Sequence, residues 1–319
     1  MMRIFEQPRA GHKGSIFLAL LAAFACWGVS AAQAQRVIAS TNPARSELIT
    51  AALAPSLPPA ATLAQATVPA PVPEPSLGGN RRSLGRFEIS QYGNAVSNHF
   101  GQWYGGGLHL FLDPSRRLNL MAEAIYERRP GEVEQTGVFA ANIHWSSWFS
   151  TSLGVSGGGP DNSAAFFPRI RYDVNGSLRT PIPGFWLTGG WTRLEYGNPV
   201  SGRIARGGFI QYAGKVVLQG TVNFNNARPG NRKSVYGSGA LQYGQEGHYW
   251  VGVNAGGGRE AWQTLGLFPF NAEFSGYNLS FFTRKWFTPS FGMVFTYNYF
   301  VKHTAYHYNG GEVRFFWQF

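Results

Sequence analysis

From Ser83 to Phe319 the chain alternates apolar and polar residues with a period of two, which restricts it to strands whose two faces meet different surroundings. The stretch from Pro168 to Arg179 carries the pattern most openly. Pro168, Ile170, Tyr172, Val174 and Leu178 fall on one face, and Arg169, Arg171, Asp173, Asn175, Ser177 and Arg179 on the other. A helix would spread Arg169, Arg171 and Asp173 over different faces, so the spacing predicts a strand. Val216, Leu218, Val222 and Phe224 alternate likewise with Lys215, Gln219, Thr221 and Asn223. So do Leu118, Leu120, Ala122, Ala124 and Tyr126 with Asn119, Met121, Glu123 and Glu127.

About fourteen such segments, each of roughly ten residues, follow one another, with twelve or sixteen as the alternatives. The seventh and eighth alternate poorly, and Arg206 conflicts with an apolar outward face. Short turns are expected near Asp113–Arg116, Ser146–Ser147, Thr180–Gly184, Ala213–Gly214, Gly244–Gly247 and Phe287–Pro289. Longer loops are expected near Gly93–Phe100, Arg128–Glu134, Gly157–Ser163, Gly197–Gly202, Asn225–Lys233, Gly256–Asn271 and Lys302–Gly310. Alternating short and long connections, with an even strand count, is the arrangement of outer-membrane barrels, whose short turns and C-terminus face the periplasm.

A soluble β-sandwich or propeller also alternates, so the two ends of the chain decide between the readings. At the C-terminus Val313, Phe315, Trp317 and Phe319 form one apolar face that stops on an aromatic, with Glu312, Arg314 and Gln318 opposite. The pattern resembles the signal by which the barrel assembly machinery recognises its substrates. At the N-terminus Arg3, Arg9 and Lys13, the apolar run Ile16–Cys26 and the small-residue site Ala32-Gln33-Ala34 have the organisation of a secretory leader. Cleavage there would start the mature protein at Gln35. The apolar run is shorter than the roughly 20 residues of a spanning helix.

Together these ends predict a bacterial outer-membrane protein: residues 1–34 a signal peptide, 35–80 a disordered linker, and 81–319 an all-β, transmembrane antiparallel up-and-down barrel. The linker carries eight prolines from Pro43 to Pro75 among Ala, Thr and Ser. Such a segment cannot bury enough apolar surface to offset its ordering entropy, and reads as an extended periplasmic tether. Composition agrees, since aromatics make up 15%, charged residues only 13%, and glycines number 41. A wall with one face in lipid and the other in a polar lumen has that balance.

The sequence contains one cysteine, Cys26, inside the leader, so the mature chain has no disulfide and no thiolate metal site. Phe24 makes Ala23-Phe24-Ala25 a poor lipidation motif. The net charge of +11 loses two with Arg3, Arg9, Lys13 and Glu6. For an exported chain such an excess points to membrane lipid, acidic lipopolysaccharide or an envelope polysaccharide rather than nucleic acid.

From Arg86 onward the chain also resembles a family, the YaiO-type outer-membrane β-barrels. The likeness rests on RFEISQYGNAVSNHFGQWYGGGLHL, GGFIQYAGKVVLQGTVNFNN, HYWVGVNAGGGREAW and FFTRKWFTPSFGMVFTYNY with the C-terminal strand. Family members carry a Gly-rich strand leading into an acidic loop, and Gly256–Gly258 followed by Arg259-Glu260 stand in that place. The resemblance implies an outer-membrane barrel, in some members tied to envelope polysaccharide systems, and implies no catalytic residues.

Candidate chemistry is sparse. His144-Trp145-Ser146 pairs a histidine with a serine, but at an expected periplasmic turn with no carboxylate near in sequence, and Trp145 and Trp148 suit a membrane interface. Gly154-Val155-Ser156-Gly157-Gly158 matches the nucleophile-elbow pattern, which requires a following helix, whereas a Gly-rich loop follows here. Asp113, Asp161 and Asp173 lie too far apart for a calcium loop. The expected functional surface is therefore the lumen. Glu123, Glu127, Arg169, Arg171, Asp173, Arg179, Lys215, Arg284, Glu312 and Arg314 are predicted to line it with Glu88, either paired across strands or setting the field of an anion-selective channel. No cofactor is expected. The function expected is a non-enzymatic small pore or envelope component linked to polysaccharide export. The alternatives are a lipid-active barrel enzyme and a surface structural or receptor barrel.

Overall fold

The computed structural model describes residues 84–97, 101–159, 167–197, 200–260, 274–303 and 306–319. The expected signal peptide and linker lie outside these residues, as do the tips of several expected loops. The described chain forms fourteen antiparallel strands: β1 (Gly85–Val96), β2 (Gly101–Ser115), β3 (Leu118–Arg129), β4 (Glu132–His144), β5 (Phe149–Gly157), β6 (Ile170–Arg179), β7 (Phe185–Glu195), β8 (Ser201–Ala213), β9 (Val216–Arg228), β10 (Arg232–Gln245), β11 (Tyr249–Glu260), β12 (Phe274–Thr288), β13 (Phe291–Lys302) and β14 (Tyr306–Gln318). Each pairs with its neighbour in sequence, and β1 pairs with β14 from Arg86↔Gln318 to Val96↔Tyr308, so the sheet closes and has no free edge.

The period-two pattern sorts side chains between the faces. Ile89, Leu153, Val174, Leu187, Leu218, Phe224, Leu241, Leu279 and Phe295 are exposed on the outside, as a lipid-facing wall requires. Trp145, Trp148, Phe287 and Phe319 are exposed at the end that holds both chain termini of the barrel, where the amphipathic indoles of the two tryptophans suit the membrane boundary. Inside lie buried Glu88, Ser90, His109, Glu123, Glu127, Arg171, Asp173 and Thr192.

Three apolar clusters also point inward. Trp286, Val294 and Phe316 pack near the terminal end, with Trp250 against them. At the opposite, far end Val96, Trp103, Phe300, Tyr306 and Tyr308 form one cluster, and Phe167, Leu194, Tyr196 and Ile204 another. The far-end clusters explain why β7 and β8 look irregular in sequence. There Leu194 and Ile204 are buried inside while Arg193 and Arg203 are exposed outside, the reverse of the pattern lower down. β8 has 13 residues, more than the roughly 9–11 that cross a bilayer, so its upper turn, with the end of β7 paired to it, stands in water on the outside and packs among its neighbours on the inside. Arg206 does not face lipid. It points inward, to Asp173.

Several expected loops are strand. Arg128–Glu134 contains only a tight turn between β3 and β4, with Gly131 at φ 86°, and Asn225–Lys233 one between β9 and β10, where Gly230 and Asn231 take positive φ. Residues polar on both faces imitate a loop in sequence, but here they belong to strand ends that project beyond the apolar band. Gly93–Val96, Gly256–Glu260 and Tyr306–Gly310 are likewise strand. At the terminal end the six connections are all short, as expected, none longer than that between Arg179 and Phe185.

Candidate functional site

Residues two apart on a strand share a face and stand about 7 Å apart, within reach of an arginine and a carboxylate. Four such pairs build the inner wall. Arg86 Nε lies 2.6 Å from Glu88 Oε1, and Arg129 Nε donates to Glu127 Oε1 at 2.6 Å. Arg171 holds Asp173 through Nε at 2.6 Å and Nη2 at 2.9 Å, and Arg314 holds Glu312 through Nε at 2.9 Å and Nη2 at 3.1 Å. A guanidinium meeting both oxygens of a carboxylate is the strong form of this bond.

Cross-strand contacts join the pairs into two patches. On β14, β1, β2 and β3, Arg314 Nη1 reaches Glu88 Oε2 at 3.4 Å, and Tyr92 donates its hydroxyl to Glu127 at 2.7 Å. Arg129 stacks 4.1 Å over the ring of Trp103, tying the polar wall to the far-end cluster. Between these, Ser90 Oγ is 2.9 Å from His109 Nε2, and His109 Nδ1 is 2.9 Å from Glu123 Oε1. On β6, β7 and β8, Asp173 accepts from Arg171, from Thr192 Oγ1 at 2.5 Å and from Arg206 Nη2 at 3.3 Å, while Arg206 also donates to Thr192. Above that patch Tyr196 is buried in its apolar cluster just beyond β7, and burial pushes its phenol well above the ordinary range.

The ten residues expected to line the lumen divide into groups. Glu123, Glu127, Arg171 and Asp173 are buried on the inner face, and Glu312 and Arg314 are part-buried there in an ion pair. Arg284 is on the same face, its guanidinium 5.6 Å from the Trp286 ring and 5.7 Å from that of Phe316. Arg169, Arg179 and Lys215 are exposed instead. Arg169 precedes β6, Arg179 ends it, and Lys215 sits in the turn between β8 and β9, so none of them belongs to the two patches. Pro168, expected on the outward face, is fully buried before β6 begins.

Ser90, His109, Tyr92, Arg129 and Thr192 take part in the wall and are not among the residues the sequence singled out, and Arg206 stood out there only as a misfit on an apolar face. The pairs at i and i+2 were visible in sequence as Arg-x-Glu, Glu-x-Arg and Arg-x-Asp spacings. The contacts of Ser90, His109 and Thr192 span 14 to 19 residues and had no local signal.

The other chemistry considered takes structural positions. His144 Nε2 contacts Asn119 Oδ1 at 2.9 Å, and the Ser146 hydroxyl accepts from the backbone N–H groups of Trp148 and Phe149, shaping the β4–β5 turn at the terminal end. Ser156 is buried in β5, opposite Arg171 in the ladder, and the described residues that follow it directly, Gly157 to Gly159, are not helical. At the C-terminus Phe315, Trp317 and Phe319 are exposed outward, with Phe291 5.2 Å from Trp317 and stacked 6.3 Å from Phe315, while Val313 faces the same way.

No curated protein matches the chain in sequence. Among solved structures the barrel is similar to a bacterial polysaccharide outer membrane secretin (TM-score 0.52, 7% identity, 75% of this chain and 100% of that one). It is also similar to the CymD monoaromatic hydrocarbon channel (TM-score 0.51, 9% identity, 75% and 89%). At such identities the likeness concerns fold. A family model described as the YaiO membrane beta barrel domain matches residues 85–263, from the first residue of β1 to just past β11, so this outer-membrane barrel belongs to the YaiO family.

Proposed function

We propose that the protein is a small pore of the bacterial outer membrane that passes hydrophilic solutes, saccharides among them, along its charge-lined wall. The observation that carries the reading is the pairing of an apolar outer face with an inner belt of arginines and carboxylates on a closed sheet of fourteen strands. Eight strands give an interior that side chains just fill, and about 16–18 leave a channel. Fourteen is nearer the second. Ion pairs along the wall hold it in register and also set a transverse field across which a polar solute moves.

A likeness to a protein described as a polysaccharide secretin supports saccharides as the solute class. Acidic lipopolysaccharide is the fitting outer partner, because Arg193 and Arg203 are register partners on the outer face of the far end. In this reading residues 1–34 are cleaved on export, residues 35–80 tether the barrel on the periplasmic side, and Val313, Phe315, Trp317 and Phe319 address it to the assembly machinery. Planar-bilayer recording of the purified barrel tests the proposal: discrete conductance steps are expected, with ion selectivity altered in Arg314→Ala. A silent bilayer containing demonstrably folded protein would overturn it.

A further inference from the structure

Midway along their strands, Ser90 on β1, His109 on β2 and Glu123 on β3 form a hydrogen-bonded chain across the inner wall. The hydroxyl meets Nε2 at 2.9 Å and the carboxylate meets Nδ1 at 2.9 Å. In the neutral imidazole, with the carboxylate oxygen accepting from Nδ1, that nitrogen carries the ring proton, Nε2 is the acceptor, and Ser90 donates to it. A hydroxyl, the basic nitrogen of an imidazole, and a carboxylate fixing its tautomer from the other side are the parts and the order of an activated serine.

Two further observations set this chain apart from the rest of the wall. Glu88, Glu127, Asp173 and Glu312 each bind an arginine, whereas Glu123 binds His109, and its buried Oε2 has no hydrogen-bond partner among the described residues. Its bonded partner is therefore the imidazole, while the Arg314 guanidinium acts on it only through space. The wall is also cleared at the nitrogen that would take the proton. Gly107 is the ladder partner of Ser90, and a Cβ there would come within 3.0 Å of His109 Nε2. A larger residue would press on the ring at the Ser90 contact.

We propose that Ser90, His109 and Glu123 form a hydrolytic site for short-chain carboxylic esters carried by water-soluble molecules that enter the barrel, an activity beyond the pore reading and contrary to the non-enzymatic expectation. The site faces away from lipid, which excludes acyl chains embedded in the bilayer. Ser90 Oγ attacks the ester carbonyl carbon as its proton passes to His109 Nε2. The carbon–alkoxide bond then breaks, and the alkoxide takes that proton and leaves as the alcohol. Water attacks the acyl-Ser90 carbonyl, giving a proton to His109. Ser90 departs, regains that proton and releases the carboxylic acid. Glu123 is a positioning residue throughout, holding the Nδ1 proton. Backbone N–H groups around Ser90 are engaged in the ladder, so the oxyanion needs a side-chain donor. Arg314, opposite Ser90 in the β1–β14 register, is the cation placed to supply it.

The test uses the full-length protein refolded in detergent and checked by heat-modifiable migration. Treatment with diisopropyl fluorophosphate followed by peptide mass spectrometry is expected to show one phosphoryl adduct, on Ser90. Hydrolysis of p-nitrophenyl acetate is expected to fall about 100-fold or more in kcat/KM for Ser90→Ala and His109→Gln. Glu123→Gln should lower kcat with KM unchanged, and Glu123→Asp should restore part of it, a split that a merely structural carboxylate would not produce. The adduct requires no variant, so it decides the matter even if a substitution fails to fold. Folded wild-type protein without an adduct on Ser90, or Ser90→Ala turning over at the wild-type rate, overturns the proposal. Neither outcome depends on whether the barrel conducts.

Discussion

Replacing Asp173 by alanine removes the one carboxylate that serves Arg171, Arg206 and Thr192 together, and the structure sets the size of the effect. The side chains of Arg171, Asp173 and Arg206 are 4%, 11% and 15% exposed, so the guanidiniums cannot recover full hydration when their partner is lost. Breaking a buried pair from one side costs about 3–5 kcal/mol, because a desolvated charge is left behind. Here two guanidiniums are left facing each other, which places Asp173→Ala in the upper part of that range. Asp173→Asn keeps an acceptor for Thr192 and loses the charge, and should cost about 1.5–3 kcal/mol, the worth of a hydrogen bond to a charged group. The triple replacement Arg171→Met, Asp173→Leu, Arg206→Met removes the desolvation and the attraction together and is expected near wild type. The assay is reversible urea unfolding in phosphocholine vesicles, followed by tryptophan fluorescence and by heat-modifiable migration. The reasoning fails if Asp173→Ala lies within about 1 kcal/mol of wild type, or if the triple variant is as unstable as the single one.

Other expectations follow from the faces of the strands. Val174→Arg, on the exposed outer face in the middle of β6, should cost roughly 2–4 kcal/mol of stability or block insertion, whereas Ile170→Arg, at the far end of the same strand, should cost less; the same unfolding assay separates them. On a Cys26→Ala background, cysteines at 172 and 174, on the exposed outer face, should be shielded by lipid from a water-soluble maleimide in vesicles, and labelling at either position would reject the outward assignment. Lys215→Ala, in an exposed turn, should change stability by less than about 0.5 kcal/mol in the unfolding assay. Deleting Phe319 is expected to stop assembly in cells, and a normal outer-membrane yield of heat-modifiable protein would show that the terminal aromatic is not the recognition element.

Inward and outward residues were legible wherever a strand crosses the apolar band, because period two is a local property that needs no knowledge of the partner strand. This is why Glu123, Glu127, Arg171 and Asp173 could be named from sequence, and why the turns from Asp113–Arg116 to Phe287–Pro289 were placed correctly. Legibility ended where the surroundings change along one strand. At the far end of β7 and β8 the outside is wet and the inside apolar, so the unbroken alternation carries Leu194 inward and Arg193 outward, opposite to what polarity alone would assign. Arg206 looked misplaced for the same reason.

The meeting of Ser90, His109 and Glu123 belongs to tertiary structure alone. Counted outward from the tight turn at Arg116-Arg117, where Ser115 pairs with Leu118, regular pairing would set His109 opposite Ala124 and turn Glu123 to the other face. An irregularity between Leu112 and Ser115 shifts the register by one residue and sets His109 opposite Glu123 instead. The β1–β2 ladder then carries Ser90 to the other ring nitrogen. Alternation and hairpin order thus determined that the chain is a barrel and, where a strand crosses the apolar band, which residues face in, since each is decided by neighbours in sequence. Which inward residues touch was decided by the folded sheet, because a one-residue slip leaves the pattern of every strand unchanged and alters every partner.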